Sequence, residues 1–169
     1  DRLLPALREE KKVKSQPSSY WWVYPLRLLV REGYSSEVVD FIRKHWKPMA
    51  EFGSTWEGFT PRKGDWSFSH AWSAHPMVIL NEAIVGVRQT GVAWKTAEFS
   101  PLLKYGECSS AIPTPRGVLK VDWSPDSRHG GVSLNLKVPQ GMAVSALLPG
   151  IGSEEIEGAG SRNWRGLGK

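Results

Sequence analysis

The sequence predicts an α+β protein with helices first and strands second, in two packed units. Two patterns and one transition carry that reading. Val38, Phe41, Ile42 and Trp46 recur at helical spacing. Val132, Leu134, Leu136 and Val138 alternate strictly, as in a half-buried strand. Between them, after Trp94, helical periodicity gives way to short β-rich runs. The expected layout is a helical part over 1–93, a β part over 94–150 and a loosely ordered Gly- and charge-rich tail over 151–169.

Each element has its own signals. Leu3, Leu4 and Leu7 fit one helical face. Residues 17 to 33 read as a helix with an aromatic entry from Tyr20 to Tyr24, Pro25 in its first turn and Gly33 at its end. Ser35 is a natural N-cap for the next helix, Glu37 suits its first turn, and Pro48 is expected to stop it. Gly53, Gly58, Pro61 and Gly64 mark a long loop. A third helix is expected from Pro76 to Arg88, apolar around most of its circumference. Pro115-Arg116-Gly117 marks a turn before Val118, Val121 and Trp123. Pro139-Gln140-Gly141 is expected to turn the chain back, so that Met142, Val144 and Ala146 complete a hairpin.

The totals exclude several classes of function. The chain has 169 residues, 40% hydrophobic and 23% charged, enough to bury a core. No apolar run reaches the roughly 18 residues needed to span a bilayer. The single cysteine, Cys108, rules out an intramolecular disulfide and a Cys-rich zinc site. A net charge of +5 is compatible with nucleic acid, but the basic residues are scattered apart from Lys11, Lys12 and Lys14, so no nucleic-acid partner is expected. No cofactor motif and no membrane partner is expected either. The chain opens on Asp1 rather than Met, so the natural N-terminus is expected upstream. The compartment stays open, secretion of a parent protein being one reading.

Candidate chemistry concentrates between Gly53 and Pro76. Glu57 sits between Trp56 and Gly58-Phe59 on a Gly-hinged loop, a setting suited to a general base. On spacing alone, a surface glutamate is the simpler reading. Three of the nine tryptophans, Trp56, Trp66 and Trp72, fall in a 17-residue polar stretch. Aromatic faces beside carboxylates and histidines suit a polar ring with apolar C–H faces, such as a sugar. His70 is placed to bond a substrate hydroxyl or to hold Glu57, and His75 to cap the helix at Pro76. A structural imidazole is an equal reading for each. No metal site is expected, because His70 and His75 lack a third ligand.

At these residues the sequence resembles the α-L-rhamnosidases of glycoside hydrolase family 78. The resemblance runs through Trp46-Lys47-Pro48-Met49, Ser54-Thr55-Trp56-Glu57, the stretch from Ser67 to Pro76, and Val85-Gly86-Val87-Arg88. It continues through Trp94-Lys95-Thr96, the stretch from Ile112 to Gly117, Val121-Asp122-Trp123 and Val138-Pro139-Gln140-Gly141. It covers roughly residues 18 to 150, with Gly58-Phe59 standing where many relatives carry a further Trp. It implies the last helices of an (α/α)6 barrel followed by an antiparallel β-sandwich. It also implies inverting hydrolysis of a terminal α-L-rhamnosyl bond by two carboxyl groups about 6.5–9.5 Å apart. Glu57 matches the family's base and His70 a position near the sugar, with Trp56 and Trp72 as wall or stacking residues; Trp66 remains a candidate substrate-binding residue of the same stretch. The general acid would lie upstream, in the remainder of the parent polypeptide, since Glu9 and Glu10 stand in no matching motif. The competing readings are a non-catalytic carbohydrate-binding or interaction module and a barrel hydrolase for another sugar.

Overall fold

The computed structural model describes residues 3–8, 18–59 and 67–167. The chain separates into two compact units, Asp1–Ala83 and Ile84–Lys169.

The first unit is helical: α1 (Leu3–Leu7), α2 (Val23–Arg31), α3 (Ser35–Phe52) and α4 (Pro76–Leu80), with 3-10 turns at Ser19–Trp22 and Ala71–Ala74. Pro25 is the third residue of α2, where a missing N–H forfeits no intrahelical bond. Gly33 (φ +88°) breaks α2 from α3, as expected. Tyr34 rather than Ser35 occupies the N-cap of α3, and no side chain caps it. The expected stop at Pro48 does not occur. The helix continues to Phe52 and ends on left-handed Gly53 (φ +88°). An interior proline costs about 3 kcal/mol through its lost bond and ring clash. Trp46 and Met49, on either side of Pro48, are buried and favour continuation, and a glycine C-cap lies within reach.

The third predicted helix is also corrected. α4 ends at Leu80, a π-helical turn follows over Asn81–Val85, and residues 87–89 are already a strand. Met77 and Val78 are exposed, while Pro76 and Ile79 are buried. The Glu82 carboxylate is buried and accepts two bonds from Arg27, Nε at 3.0 Å and Nη2 at 2.5 Å. This bidentate pairing raises the Arg27 pKa.

The second unit is a β-sandwich. Its strands are β1 (Val87–Gln89), β2 (Thr96–Phe99), β3 (Cys108–Thr114), β4 (Gly117–Pro125), β5 (Val132–Val138), β6 (Ala143–Leu148), β7 (Gly152–Glu157) and β8 (Gly160–Leu167). They form two four-stranded sheets, β1-β2-β6-β7 and β3-β4-β5-β8. Every pairing is antiparallel except β2 with β6, which is parallel. Phe99, Val144 and Ala146 from one sheet join Leu119, Val121, Leu134 and Leu136 from the other in a single core, all at 0–1% exposure.

Three expectations for this half are overturned. β5 and β6 are not a hairpin: β5 pairs with β4 and β8, β6 with β2 and β7, so Pro139 to Met142 carries the chain between sheets. The tail expected to be loose supplies β7 and β8, which bury Ile156, Trp164 and Leu167. The β unit begins at Ile84 rather than after residue 93, because β1 belongs to the sandwich. Cys108 opens β3 half-buried, and burial pushes its thiol pKa up.

Candidate active site

Left-handed Gly53 turns the chain out of α3 into an arm, residues 54–59, that runs beside Ser67 to His70. Two main-chain bonds tie the strips together: His70 N–H to the Thr55 carbonyl at 2.8 Å and Glu57 N–H to the Ser67 carbonyl at 2.9 Å. Side chains reinforce them, Thr55 Oγ1 donating to the His70 carbonyl at 2.8 Å and Ser54 Oγ to that of Phe68 at 2.5 Å. Glu57 is therefore held on a pinned segment. Its Oε2 accepts the Ser67 N–H at 3.0 Å, while Oε1 has no partner among the described residues. The residue is half-buried. A fixed carboxylate with one uncommitted oxygen meets the geometric need of a base that must hold a water.

The backbone beneath it is anchored by two fully buried serines. Ser19 Oγ donates to the Glu57 carbonyl at 3.0 Å and Ser73 Oγ donates to the Trp56 carbonyl, with the two hydroxyl oxygens in contact. Trp72 Nε1 also donates to the Glu57 carbonyl, at 3.2 Å. Trp46 Nε1 donates to the Ser73 carbonyl at 2.8 Å, joining this network to α3. The His70 ring stacks on Trp72 with centroids 3.9 Å apart at 16°, and Tyr20 stacks on Trp72 at 5.7 Å and 24°. No ring nitrogen of His70 is bonded among the described residues. Trp56 packs edge-on against Phe52 and Phe68, its Nε1 buried without a partner among the described residues. Among the described residues no group of three or more His, Cys, Asp or Glu is placed to hold a metal ion, and no helix is long and apolar enough to cross a membrane.

Residues 86–163 match the family model described as the bacterial alpha-L-rhamnosidase C-terminal domain. That match covers most of the second unit. Solved α-L-rhamnosidase structures share the fold of the chain. A family 78 rhamnosidase of Bacillus sp. GL1 is 22% identical with a TM-score of 0.62, over 79% of this chain and 15% of that one. The α-L-rhamnosidase of Aspergillus terreus is 21% identical, TM-score 0.64, over 82% and 18%. That of Streptomyces avermitilis, solved with L-rhamnose, is 16% identical, TM-score 0.67, over 83% and 17%. This chain thus spans under a fifth of the length of these proteins. The second unit is about half of the chain, so a likeness over 79% or more runs into the helical unit as well. The comparison with curated protein sequences gives no match.

The candidate site lies outside the matched residues 86–163, in the helical unit. Four sequence-predicted residues are described there. Glu57, Trp72 and His70 are linked by the indole bond and the ring stack. Trp56 precedes Glu57 but packs with Phe52 and Phe68. Trp66 lies outside the described residues. Sequence reasoning missed Ser19 and Ser73 as anchors, and lone serines carry no pattern that would have found them. Tyr20 was visible only as part of an aromatic helix entry.

His75 has a structural role: Nε2 meets the Ser19 carbonyl at 2.9 Å, and no side-chain cap forms for α4. A carbonyl only accepts, so Nε2 carries the proton and Nδ1 is bare, buried without a partner among the described residues. Burial lowers the His75 pKa, and the bond to Ser19 offsets part of this. Below the ordinary histidine value of about 6.5 the unfolded chain binds a proton that folded His75 resists. Its contribution to stability is therefore full above that value and is lost as pH falls through the window down to the lowered pKa. The helical unit should melt at lower temperature at pH 5 than at pH 7, and His75→Gln, which can still donate to Ser19, should flatten the slope. An identical slope in the variant, by thermal unfolding, would remove His75 as its source.

Proposed function

We propose that this chain is the C-terminal part of an inverting glycoside hydrolase that removes terminal α-L-rhamnose, with Glu57 as general base. The observation that carries the reading is the match of residues 86–163 to a domain named for α-L-rhamnosidases, in a chain whose likeness to such enzymes continues into the helical unit. In this reading the helical unit is the end of an (α/α)6 barrel. The general acid belongs to the polypeptide upstream, consistent with the small share of each rhamnosidase that this chain spans.

The chemistry follows from the pinned arm. Ser67 N–H holds Oε2 of Glu57, leaving Oε1 to orient a water. As the water oxygen attacks the anomeric carbon, the carboxylate takes its proton, while the upstream acid protonates the departing oxygen on the opposite face. Configuration inverts because one displacement occurs. His70, stacked on Trp72 with its ring nitrogens uncommitted, bonds a sugar hydroxyl. Trp72 walls the sugar beside it.

A panel of aryl glycosides given to the full-length polypeptide tests this. The α-L-rhamnoside should be turned over faster than other sugars by a factor on the order of 100, and the isolated 169 residues should turn over none. Preference for another glycoside would assign a different substrate to the same barrel. Turnover by the isolated chain would eliminate the upstream acid.

A further inference from the structure

The exposed face of the β3-β4-β5-β8 sheet carries a row of short polar side chains in register: Ser109 opposite Asp122, Asp122 opposite Asn135, Asn135 opposite Asn163. The intervening residues Val121, Trp123, Leu134, Leu136 and Trp164 are buried, so the row points away from the core. Ser109 Oγ donates to Asp122 Oδ1 at 2.6 Å, and Asn135 Nδ2 donates to Asn163 Oδ1 at 2.7 Å. Asp and Asn are depleted in strands, where Thr serves a solvated face without that penalty. Three of them abreast on adjacent strands break a local rule, and such breaks gather at functional positions. The bonds within the row leave Asp122 Oδ2 and Asn135 Oδ1 as acceptors and Asn163 Nδ2 as a donor, each without a partner among the described residues. Ser109, Asp122 and Asn135 line a depression of about 650 Å³ with Glu107, Ser124 and Ser133, within the size range of small-ligand sites.

We propose that this face binds a neutral oligosaccharide. Sugar hydroxyls both donate and accept, which fits a row whose unspent groups are of both kinds. The lining includes the carboxylates of Glu107 and Asp122 and no cation, which opposes an anionic ligand. Lys120 and Lys137 stand in the neighbouring row of the same face, outside the depression. The site lies within the matched residues 86–163 and needs no catalytic group, so it stands or falls apart from the role of Glu57.

The test is affinity electrophoresis of the full-length polypeptide through gels holding galactomannan, xyloglucan, arabinan or, as an anionic control, polygalacturonate. At least one neutral polysaccharide should retard it. The triple variant Asp122→Thr, Asn135→Thr, Asn163→Thr should raise the apparent Kd at least tenfold, with kcat/KM on an aryl α-L-rhamnoside unchanged. Threonine favours strands, and an unchanged melting temperature checks the fold. Ser133→Arg, which fills the depression and leaves the row intact, should weaken retardation likewise. No retardation by any neutral polysaccharide, retardation by polygalacturonate alone, or retardation that survives both variants overturns the proposal. Aryl rhamnoside turnover reads the hydrolase assignment separately, so the two failures are distinguishable.

Discussion

Glu57→Gln in the full-length polypeptide is expected to lower kcat on an aryl α-L-rhamnoside by about 10²- to 10⁴-fold while leaving the Kd for L-rhamnose within a few-fold. The amide keeps the length and planarity of the side chain, and its oxygen still accepts from Ser67 N–H. It cannot take a proton from water. The loss therefore falls on the transition state rather than on binding, about 3–5 kcal/mol of barrier by the usual conversion. Glu57→Asp retains the base but withdraws it by one methylene, and its kcat should fall between the two. Steady-state kinetics with calorimetry of rhamnose binding separates the outcomes. A kcat unchanged in Glu57→Gln removes this carboxylate from the mechanism. A parallel collapse of sugar binding would make it a binding group instead.

The second large effect is structural. Gly86 has φ +77°, and a Cβ there would lie 2.0 Å from the Ser100 carbonyl oxygen and 2.2 Å from its carbon. Those are backbone atoms, held by the Ser100 N–H to Gly86 carbonyl bond at 2.8 Å and by the pairing of Val87 with Phe99. Relief of the clash separates β1 from β2 beside Phe99, which is fully buried in the sandwich core. Left-handed backbone alone costs an L-residue about 1–2 kcal/mol. With the clash added, Gly86→Ala should destabilise the second unit by about 3–5 kcal/mol, in the range of major packing defects. Gly150→Ala in the same unit is the control, since φ is +79° but no atom lies within 4 Å of the added carbon. It should cost only about 1 kcal/mol. Denaturant unfolding in which Gly86→Ala loses no more than Gly150→Ala would show that the close approach is unimportant.

Helix-then-sandwich order was legible because its signals are local. Val38, Phe41, Ile42 and Trp46 all turn inward on α3, and the alternation of β5 survives intact in the buried row from Val132 to Val138. What escaped depends on contacts distant in sequence. Alternating residues on β5 and β6 suit a hairpin and two facing sheets equally, and only the parallel partner of β6, far upstream in β2, decides between them. β7 and β8 looked disordered because they carry Glu154, Glu155, Arg162 and Arg165 among glycines, with only Ile156, Trp164 and Leu167 buried. Part of that charge is paired, Arg162 and Trp164 both donating to Glu154 at 3.0 Å. Pro48 misled because a proline penalty is local and the burial that outweighs it is not. At the candidate site, the Gly-hinged Glu57 loop was visible as a motif, and the stretch from Ser67 to His70 was placed near it by resemblance. The anchoring by Ser19 and Ser73 was not visible, since it spans 54 residues and leaves no periodic trace.

The most direct test of rhamnose release by inversion is the configuration of the sugar as it first appears. In a proton NMR time course of the full-length polypeptide with an aryl α-L-rhamnoside, β-L-rhamnose should accumulate first and the α anomer grow in only at the rate of mutarotation. First appearance of α-L-rhamnose, or no rhamnose at all, would contradict it.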